Sequence, residues 1–484
     1  MSFIGRKSEL AHLDRFARSP HPRIAVVHGR RRIGKSVLLQ QALQGRSPLF
    51  FEALEERPTR DQLNHFALQL QHQTGHPAGR PRRWTEALLQ LHEALEHNPR
   101  PRLFDEFQWM ANYRHELVSE LKHAWDRFLS KLPGQKLILC GSIASFMVEK
   151  VLKSSALYGR IETELEVPAF KLVETQQMLP GKGFDEILQA HLLTGGVPKY
   201  LELLRDSPSV QLGMQELAFE ADGYFTTEYQ RIFISHFGRN PAFAAIVRAL
   251  AAHPLGLVRE ELARLAKIAL GGRLSEHLRD LESAGFMSAD TPFHRGPDSR
   301  QIKYFLCDAY LRFYFSFIHP NLKKIRAGQG TNVLAGLSGS GALHAWMGRS
   351  FEYLCLQHAL EISRIVGFSA VDFKMGPYFS PGPRGTPETE RSAREPPAGG
   401  VQVDLVFDRA DDVLTVCEMK YSGKPVGVEV ITGMKRKIEI LQPLAKGKTI
   451  QPVLIVRERP SQPLLDQAYF YKIIEARDLL KDLA

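Results

Sequence analysis

The sequence predicts an α/β protein with more than one domain, and three observations support this. The chain has 484 residues, whereas a single domain usually has about 100–200 residues. An apolar run from Ile24 to Val27 precedes a glycine-containing loop and a helical pattern, which is typical of a strand, a loop and a helix. Near the C-terminus, residues 401–408 and 413–420 alternate like the strands of a hairpin. We therefore expect an α/β domain at each end of the chain.

The charge balance favours a polyanionic partner, because the formal net charge is +10 and the pI is near 9.3. DNA is the leading candidate, and RNA or a protein partner is not excluded. No apolar run approaches the roughly 18 residues that span a membrane, and the N-terminal region lacks a signal-peptide core. We expect a cytoplasmic protein with no membrane contact. Its four widely spaced cysteines favour buried thiols over zinc ligands or disulfides.

The loop after Val27 has the spacing Gly-x4-Gly-Lys-Ser. In such a loop, backbone N–H groups turn inward onto a polyphosphate, the lysine reaches the terminal phosphates, and the serine can ligate Mg²⁺. Ser36 is therefore a predicted metal ligand. The predicted nucleotide-binding residues are Gly29, Arg30, Arg31, Arg32, Ile33, Gly34, Lys35 and Ser36. The alternative is a chance match in a glycine-containing turn.

A second nucleotide element is predicted at the acidic pair that ends the short apolar run Leu103-Phe104. Asp105 would hold Mg²⁺, commonly through water, and Glu106 would polarise the attacking water. The alternative is an exposed loop with two acids. The preceding residues 98–102, Asn-Pro-Arg-Pro-Arg, are unlike a buried strand, so we expect this strand to be short.

Three further places are candidates for contact with the nucleotide. Ser142 follows the apolar run 136–140, at a strand end where nucleotide-sensing groups sit in folds with this loop. Arg160 is a candidate arginine finger, in cis or from a neighbouring subunit, and the alternative is a surface salt bridge. Gly196 and Pro198 belong to a rigid Gly-Gly-Val-Pro turn that we expect in a helical lid.

These motifs occur in a fixed order between residues 1 and 205: Gly-Arg-Arg-Arg-x-Gly-Lys-Ser, Asp-Glu-Phe-Gln-Trp, Cys-Gly-Ser, Leu-Tyr-Gly-Arg and Gly-Gly-Val-Pro-x-Tyr-Leu. The segment resembles the archaeal-type ATPases, a bacterial and archaeal P-loop family in the STAND-related branch of AAA+ proteins. The resemblance implies an AAA+ type ATPase domain that binds ATP, with Gly196 and Pro198 contacting the nucleotide from the lid. The proline- and arginine-rich residues before Asp105 depart from the family pattern. This departure bears on the predicted rate of ATP hydrolysis more than on the predicted binding of ATP.

Residues 240–320 contain three short helical patterns and a hairpin, which predict a winged helix-turn-helix. In a DNA-reading version, four side chains of the third helix would face the major groove and two of the hairpin would contact phosphates: Arg273, Ser275, His277 and Arg279, and Arg295 and Arg300. Glu276, Asp280 and Glu282 on the same helix favour the alternative, a packing role. The segment 308–315 also resembles the ATPase family, and its aromatic residues are predicted to be core.

Acids and lysines are predicted to cluster in the C-terminal part. Period two places Glu418 and Lys420 on one face of a strand, and the hairpin can bring Asp404 beside them. Clustered carboxylates repel one another unless a cation joins them, so we expect a Mg²⁺ or Mn²⁺ site. The metal would activate water against a phosphodiester, and Lys420 would stabilise the developing charge or orient that water. The alternative is an amphipathic hairpin with acids on its solvent face.

With Glu352 on an upstream helix and Lys437 on the following helix, this cluster resembles the PD-(D/E)xK nucleases, which are often fused to this ATPase family. The resemblance implies that Glu352, Asp404 and Glu418 are metal ligands. It also implies that Asp404, Glu418 and Lys420 are catalytic, and that Lys437 matches a less regular basic position of the fold.

We therefore predict a P-loop ATPase domain with the start of its lid at 1–205, a helical lid and winged helix at 206–325, and a restriction-endonuclease-like α/β domain at 340–484 with a flexible insert at 375–400. The predicted function is ATP binding and hydrolysis coupled to a metal-dependent DNA nuclease, in genome defence or mobile-element function. One alternative is a STAND-like nucleotide-dependent switch that binds DNA or protein without cutting. Another is a chaperone-like ATPase that acts on proteins. The oligomeric state stays open, because Arg160 could act between subunits.

Overall fold

The structure is a computed structural model that describes residues 3–77, 79–96, 98–131, 134–237, 240–295, 302–379 and 402–481. The chain divides into two compact units. The first comprises Met1–Ala169, Val197–Lys199 and Ser283–Gly285, and the second comprises Phe170–Gly196, Tyr200–Glu282 and Phe286–Ala484. The first unit is shorter than the predicted 1–205, because the helices between residues 170 and 196 pack within the second unit. The division into three domains stays a prediction.

A parallel sheet forms the centre of the first unit. Its strands are β1 (Arg23–His28), β2 (Leu49–Glu52), β3 (Arg102–Asp105), β4 (Lys136–Gly141) and β5 (Ile161–Glu166). Their order is β2-β3-β4-β1-β5, and every pair is parallel. The central strand β1 is buried from Ile24 onward, which explains its continuous apolar run. Strand β3 has four residues, so the prediction of a short strand before Glu106 is confirmed.

The helices of the first unit cover the faces of this sheet, since both faces of a parallel sheet must be buried. They are α1 (Lys7–Arg18), α2 (Lys35–Ala42), α3 (Thr59–Thr74), α4 (Trp84–Leu95), α5 (Phe107–Met110), α6 (Glu116–Arg127) and α7 (Ala144–Phe146), with a 3-10 turn at Leu129–Lys131 and a π-helical turn at Met147–Leu152. One side of the core is aromatic: Phe51 stacks on Phe66 with ring centroids 4.2 Å apart, and Trp84 packs edge-on against Phe66. These aromatic contacts pack α3 against strand β2, and α4 against α3.

The helical part of the chain after β5 is long. Its helices are α8 (Leu172–Met178), α9 (Phe184–Thr194), α10 (Pro198–Arg205), α11 (Val210–Phe219), α12 (Tyr224–Phe237) and α13 (Pro241–Ala252). Within the second unit, Tyr200 is fully buried, and its hydroxyl donates to a carboxylate oxygen of Glu228 at 3.1 Å. Helix α13 begins at a proline with Asn240 as its N-cap, a favoured start for a helix.

A small antiparallel sheet follows, built from β6 (Leu257–Val258), β7 (Met287–Asp290) and β8 (Lys303–Leu306) in the order β6-β8-β7. Helices α14 (Arg259–Ala266) and α15 (Gly272–Ser283) lie between β6 and β7 in the chain. The three predicted helices, α13, α14 and α15, and the predicted hairpin are therefore present. Whether they act as a winged helix that touches DNA stays a prediction. Residues 296–301, which include Arg300, lie outside the described residues.

The chain then becomes helical again before the last sheet. The helices are α16 (Ala309–Phe313), α17 (Leu322–Lys324), α18 (Gly330–Leu337), α19 (Gly341–Gln357) and α20 (Ala359–Val366), with π-helical turns at Tyr314–Ile318 and Ile325–Gln329 and a 3-10 turn at His319–Asn321. The aromatic residues of the 308–315 segment are largely buried, as predicted: Tyr310, Phe313 and Tyr314 are at most 4% exposed.

The C-terminal sheet contains β9 (Phe373–Phe379), β10 (Gln402–Arg409), β11 (Val413–Lys420), β12 (Thr449–Val456) and β13 (Lys472–Glu475). Its order is β13-β12-β11-β10-β9, with β9, β10 and β11 antiparallel and β11, β12 and β13 parallel. Helices α21 (Glu429–Ala445) and α22 (Gln462–Asp466) and a 3-10 turn at Ala476–Leu480 complete this part. The hairpin predicted at 401–420 is confirmed as β10 and β11.

The predicted flexible insert at 375–400 is wrong at its start, because residues 375–379 pair with β10 as part of β9. Residues 380–401 lie outside the described residues. In the part of the chain that the structure describes, no helix is long and apolar enough to cross a membrane.

Candidate functional site

The predicted phosphate loop connects β1 to α2, and its backbone takes conformations that favour glycine. Gly29 has φ of 146° and Gly34 has φ of 82°. A Cβ on Gly29 would lie 2.6 Å from the carbonyl oxygen of Val167 and 2.7 Å from the side chain of Ile33. Gly34 is the residue before the first turn of α2, where the N–H groups of a helix attract anions. The loop thus has the geometry that a phosphate cradle needs.

Lys35 folds back over this loop. Its Nζ donates to the carbonyl oxygens of Gly29 at 3.0 Å and of Arg30 at 3.1 Å, and the residue is 6% exposed. Neither of these partners carries a charge, so the ammonium keeps the positive charge that terminal phosphates require.

The two predicted Mg²⁺ ligands of the first unit meet in space. The Ser36 hydroxyl donates to Oδ2 of Asp105 at 2.6 Å, although the residues are 69 positions apart. They meet because β1 and β3 are parallel strands of one sheet, and the carboxyl ends of parallel strands lie at the same edge. A hydroxyl and a carboxylate are the hard oxygen ligands that suit Mg²⁺, so the residues fit this ion.

Glu106 is oriented by neighbours from two elements. It has a left-handed backbone with φ of 51°, and its Oε2 accepts hydrogen bonds from Ser142 Oγ at 2.7 Å and from the Gln108 amide. Burial alone would raise the pKa of Glu106, but the charge of Lys35 and these two hydrogen bonds hold it below its ordinary value. The carboxylate is therefore ionised and placed to accept a proton or hydrogen bond from water.

Gln108 was not predicted as a site residue. It is fully buried and also donates to Ser142 Oγ at 3.2 Å, so it ties the end of β3 to the end of β4. Its position two residues after Glu106 was the available signal, since a buried polar side chain needs a polar partner. Ser142, predicted as a sensor, lies beside Glu106; the contact of Ser142 with nucleotide stays a prediction.

The predicted lid turn is represented in the first unit by residues 197–199. The backbone N–H of Lys199 donates to the carbonyl oxygen of Arg32 at 3.4 Å, which places Pro198 one residue from a contact with the phosphate loop. Gly196 belongs to the second unit, where a Cβ would lie 2.1 Å from the carbonyl oxygen of Phe170. This close approach accounts for the glycine, and the contact of Gly196 with nucleotide stays a prediction.

Arg31 of the phosphate loop is near an acid of the same unit: its Nη2 lies 3.4 Å from Oε2 of Glu55.

Arg160 forms the surface salt bridge that was the alternative to an arginine finger. Its Nε and Nη2 donate to the two carboxylate oxygens of Asp126 at 2.7 and 2.9 Å. The guanidinium also donates to the carbonyl oxygens of Ala156 and Tyr158. In this structure the Arg160 side chain therefore bonds to residues of the first unit, and a role at the γ-phosphate stays a prediction.

The predicted cluster of acids and lysines is assembled in the second unit. Leu405 pairs with Cys417 in the hairpin, and extending this register by one residue places Asp404 opposite Glu418. The carboxylate oxygens of Glu418 contact two lysines: Lys420 Nζ lies 2.8 Å from Oε1, and Lys437 Nζ lies 2.5 Å from Oε2. The hairpin therefore brings the strand acids together, as predicted.

Glu352 joins the cluster from α19. Glu352 and Asp404 line one small cavity of about 50 Å³, together with Gln402 and Arg349. Burial and the charge of Asp404 raise the pKa of Glu352 to about 8. Burial and the charge of Glu418 also raise the pKa of Asp404, against the opposing charge of Lys437. Two of the three acids are thus held in a setting that disfavours negative charge.

Glu418 behaves differently from these two acids. Burial alone would raise its pKa, but Lys437 and Lys420 hold the pKa of Glu418 below its ordinary value. Among the described residues, no three His, Cys, Asp or Glu side chains are grouped so that they could hold a metal ion. The predicted metal site of Glu352, Asp404 and Glu418 is therefore not preformed, because lysine ammonium groups neutralise Glu418 where a cation was expected.

The predicted DNA-reading helix, α15, is partly used for packing. Ser275 accepts a hydrogen bond from Arg259 at 2.8 Å, and the His277 ring lies 3.1 Å from the Asn240 amide and packs edge-on against Phe243. Arg273, Arg279 and Arg295 are exposed. These contacts are those of the packing alternative for Ser275 and His277, and the exposed arginines leave the DNA prediction open.

Comparison with known proteins finds a family match in the N-terminal part of the chain. Residues 3–204 match the family model of an ATPase domain predominantly from Archaea. An uncharacterized protein of Methanocaldococcus jannaschii is 27% identical over 331 residues, which cover 67% of this chain and 71% of that protein. The family model ends before the cluster of acids and lysines.

Two solved structures are similar in fold. The Walker-type ATPase of Pyrococcus abyssi is 21% identical with a TM-score of 0.50, over 65% of this chain and 96% of that chain. The ORC2 protein of Aeropyrum pernix, solved as ADPNP-ADP complexes, is 16% identical with a TM-score of 0.45, over 70% of this chain and 96% of that chain. The first likeness supports the predicted α/β P-loop fold. Residues 3–204 of this chain are therefore similar to an ATPase domain predominantly from Archaea.

Proposed function

We propose that this chain is an ATPase whose C-terminal part is a metal-dependent DNA nuclease controlled by the state of the nucleotide. The family of residues 3–204 carries the ATPase part. One observation supports the nuclease part above all: acids from α19, β10 and β11 and lysines from β11 and α21 converge in one place. The net charge of +10 supports a polyanionic substrate. Genome defence or mobile-element function is the setting that such an activity would serve.

In the ATPase site, the loop N–H groups and Lys35 bind the phosphates, and Ser36 with Asp105 would hold Mg²⁺. When bound, Mg²⁺ supplies positive charge to the β- and γ-phosphate oxygens. Glu106 accepts a hydrogen bond from the attacking water, and Ser142 and Gln108 hold that carboxylate in place. The chain itself thus provides the phosphate cradle and the base.

In the proposed nuclease site, Glu352 and Asp404 would hold Mg²⁺ or Mn²⁺, since such ions are often bound by one or two carboxylates together with substrate phosphates. When bound, the ion supplies a water of lowered pKa and positive charge at the phosphodiester. Lys437 is 18% exposed and stays on Glu418, whereas the Lys420 side chain is 46% exposed. Lys420 is therefore the lysine that can reach a phosphate of the substrate.

A second candidate is a nucleotide-dependent switch that binds DNA or protein without cutting. The observation that favours it is the pairing of both Glu418 oxygens with lysines, together with the missing preformed group of three metal-binding side chains among the described residues. In that case the cluster would be a structural ion-pair network, and the lysines would not be released.

Cleavage of supercoiled plasmid separates the two candidates. We expect the wild-type chain to nick or linearise the plasmid in Mg²⁺ or Mn²⁺, with a rate that differs between ATP, ADP and no nucleotide. Lys420→Ala should bind the plasmid but cut it poorly. Equal cutting by both proteins would remove the nuclease assignment, and DNA binding without cutting by the wild type would favour the switch.

The interface with DNA has a separate test. Binding that is dominated by phosphates should weaken steeply as salt rises, because bound counterions are released from the DNA. Fluorescence anisotropy with a labelled duplex at a series of salt concentrations measures the slope. A flat dependence would count against DNA as the partner, and stimulation of the ATPase rate by a protein but not by DNA would point to a chaperone-like role.

A further inference from the structure

A cavity of about 580 Å³ lies in the second unit, apart from the phosphate loop. Its walls come from α13, the π-helical turn at Tyr314–Ile318, the end of α18 and the first half of α19. The volume falls within the range of about 300–1,000 Å³ that is usual for small-molecule sites.

The cavity is lined by three arginines and by no acid. Arg248, Arg312 and Arg349 are among its lining residues, which are all described and include no aspartate or glutamate. A concave surface with one sign of charge concentrates ligands of the opposite sign. The expected ligand is therefore an anion.

Arg312 is one of the three arginines that line the cavity. Its Nη1 donates to the neutral hydroxyl of Ser350 at 3.1 Å, and its guanidinium lies 4.2 Å from the ring centroid of Tyr353. Its Nε is buried and makes no hydrogen bond to the described protein. Burial disfavours the charged guanidinium and lowers its pKa, and an anion bound beside the guanidinium would offset that cost.

Trp346 adds a second buried donor to the same wall. The side chain is 8% exposed, lines the cavity, and its Nε1–H makes no hydrogen bond among the described residues. Buried tryptophan N–H groups usually have a partner. Arg312 and Trp346 thus both line the cavity, and each has a buried donor atom without an acceptor among the described residues.

The remaining walls are aromatic and aliphatic, including Phe315, Phe317 and Leu337. Aromatic faces stack on planar bases, and a guanidinium binds phosphate through paired N–H groups. A small inorganic anion would leave most of this volume unfilled. The ligand that uses both kinds of wall carries a phosphate on a planar, largely apolar body.

We propose that this cavity binds a nucleoside monophosphate, with the phosphate on Arg312 and Arg349 and the base against the aromatic walls. The nucleotide has two sources with the same chemistry, a free mononucleotide or the unpaired end of a strand. Arg349 and Tyr353 also line the small cavity of Glu352 and Asp404, so a strand end bound here would lie beside those acids. The site itself does not depend on cleavage and is distinct from the phosphate loop.

Calorimetric titration tests this proposal in the full chain carrying Lys35→Ala, so that the phosphate loop contributes little. The probes are thymidine monophosphate, which lacks the adenine of ATP, a 5′-phosphorylated thymidine tetranucleotide, and inorganic phosphate. We expect one site per chain for thymidine monophosphate, at least about tenfold tighter than for inorganic phosphate. Equal affinities for monophosphate and tetranucleotide indicate a free nucleotide, and a tenfold tighter tetranucleotide indicates a strand end; both support the site.

Variants in the same background locate the binding. Arg312→Lys keeps the charge but loses Nε and the planar stacking, and should weaken binding at least about tenfold. Ala345→Trp places a bulky group in the cavity lining without altering a charge, and should do the same if Arg312→Lys folds poorly. Arg364→Ala removes an exposed arginine of α20 that does not line the cavity; it is the matched control and should bind normally.

The proposal is overturned if no probe binds saturably, if inorganic phosphate binds as tightly as the nucleotide, or if folded Arg312→Lys and Ala345→Trp both bind like the parent chain. These outcomes leave the tests of the proposed function intact, because ATP turnover and plasmid cleavage depend on Lys35 and Asp404 rather than on this cavity.

Discussion

The two carboxylate sites of this molecule treat negative charge in opposite ways. In the ATPase domain, Asp105 accepts from the Ser36 hydroxyl, and Glu106 is held ionised by Lys35, Ser142 and Gln108. In the C-terminal cluster, Glu418 is neutralised by two lysines, and the pKa of Glu352 is raised to about 8. The surroundings of the first site suit a cation and a polyphosphate, whereas the second site must change its charge distribution before it can hold a metal.

The physical origin of the difference is the surroundings of each acid. Asp105 and Glu106 lie at the end of a strand, next to a loop whose Lys35 donates to the neutral carbonyl oxygens of Gly29 and Arg30. Glu352, Asp404 and Glu418 come from three elements and are largely buried together, so Asp404 raises the pKa of Glu352 and Glu418 raises the pKa of Asp404. The lysines of the cluster offset part of that cost.

The largest expected effect tests whether the C-terminal cluster is catalytic at all. Asp404→Asn keeps the shape of the side chain but removes its charge, and should lower the rate of plasmid cleavage about 1,000-fold. Asp408→Asn is the matched control: it lies on the same strand, and its partner is Lys448 at 2.7 Å, so it should cut normally. If both variants cut like wild type, the C-terminal cluster is a structural ion-pair network and not a catalytic site.

The next effect concerns the base of the ATPase site. Glu106→Gln should slow ATP hydrolysis about 300-fold, because the amide cannot accept a proton from water, while ATP affinity changes little. Phosphate release under saturating ATP measures the rate. The exposed Glu116 on α6 provides the control Glu116→Gln, and an unchanged rate for Glu106→Gln would assign the base to another residue.

The phosphate loop is tested by affinity rather than by rate. Lys35→Ala should weaken ATP binding about 100-fold, the effect expected for loss of a charge-assisted contact with the terminal phosphates. Titration of a fluorescent ATP analogue measures the dissociation constant. Lys153→Ala removes an exposed lysine of the same unit that pairs with Glu149 and should bind ATP normally; retained affinity in Lys35→Ala would make the loop structural.

The last expected effect is on the free energy of unfolding, and it tests whether Glu352 of the C-terminal cluster is protonated. A carboxyl whose folded pKa lies above its unfolded value binds more protons in the folded state, so its contribution to stability falls as pH rises between the two values. For Glu352 these values are about 8 and 4.5. Glu352→Gln should therefore gain stability over wild type as pH rises from 4.5 to 8.5 and should show no such gain near pH 4.5.

Urea unfolding in the presence of a chelator measures this difference at both pH values. The exposed Glu439 on α21 gives the control Glu439→Gln, which should follow wild type throughout. A stability gain for Glu352→Gln that does not depend on pH would mean that Glu352 is not held protonated, and the contrast between the two sites would then disappear.

Much of the ATPase site could be predicted because its geometry is local. The spacing from Gly29 to Ser36 determines a loop between a strand and a helix, and the acidic pair at the end of β3 was found from its position after an apolar run. The role of Gln108 was missed, because its bond to Ser142 joins two strand ends that are 34 residues apart. The fully buried guanidinium of Arg102 was also unexpected: its nitrogens make no hydrogen bond to the described protein, although its arginine-rich segment suggested exposure.

The residues of the C-terminal cluster were predicted from the sequence, but their ion pairs and their ionisation were not. Strand period and hairpin register were sufficient to place Asp404 opposite Glu418. The ion pairs of Glu418 with Lys420 and Lys437, and the surface pair of Arg160 with Asp126, required the packing of separate elements. Local sequence patterns are therefore sufficient to predict which residues share a strand, a loop or a hairpin, since backbone periods are local. Which acids are ionised follows from the packing of distant elements, because a pKa depends on burial and on charges that this packing brings within a few ångströms.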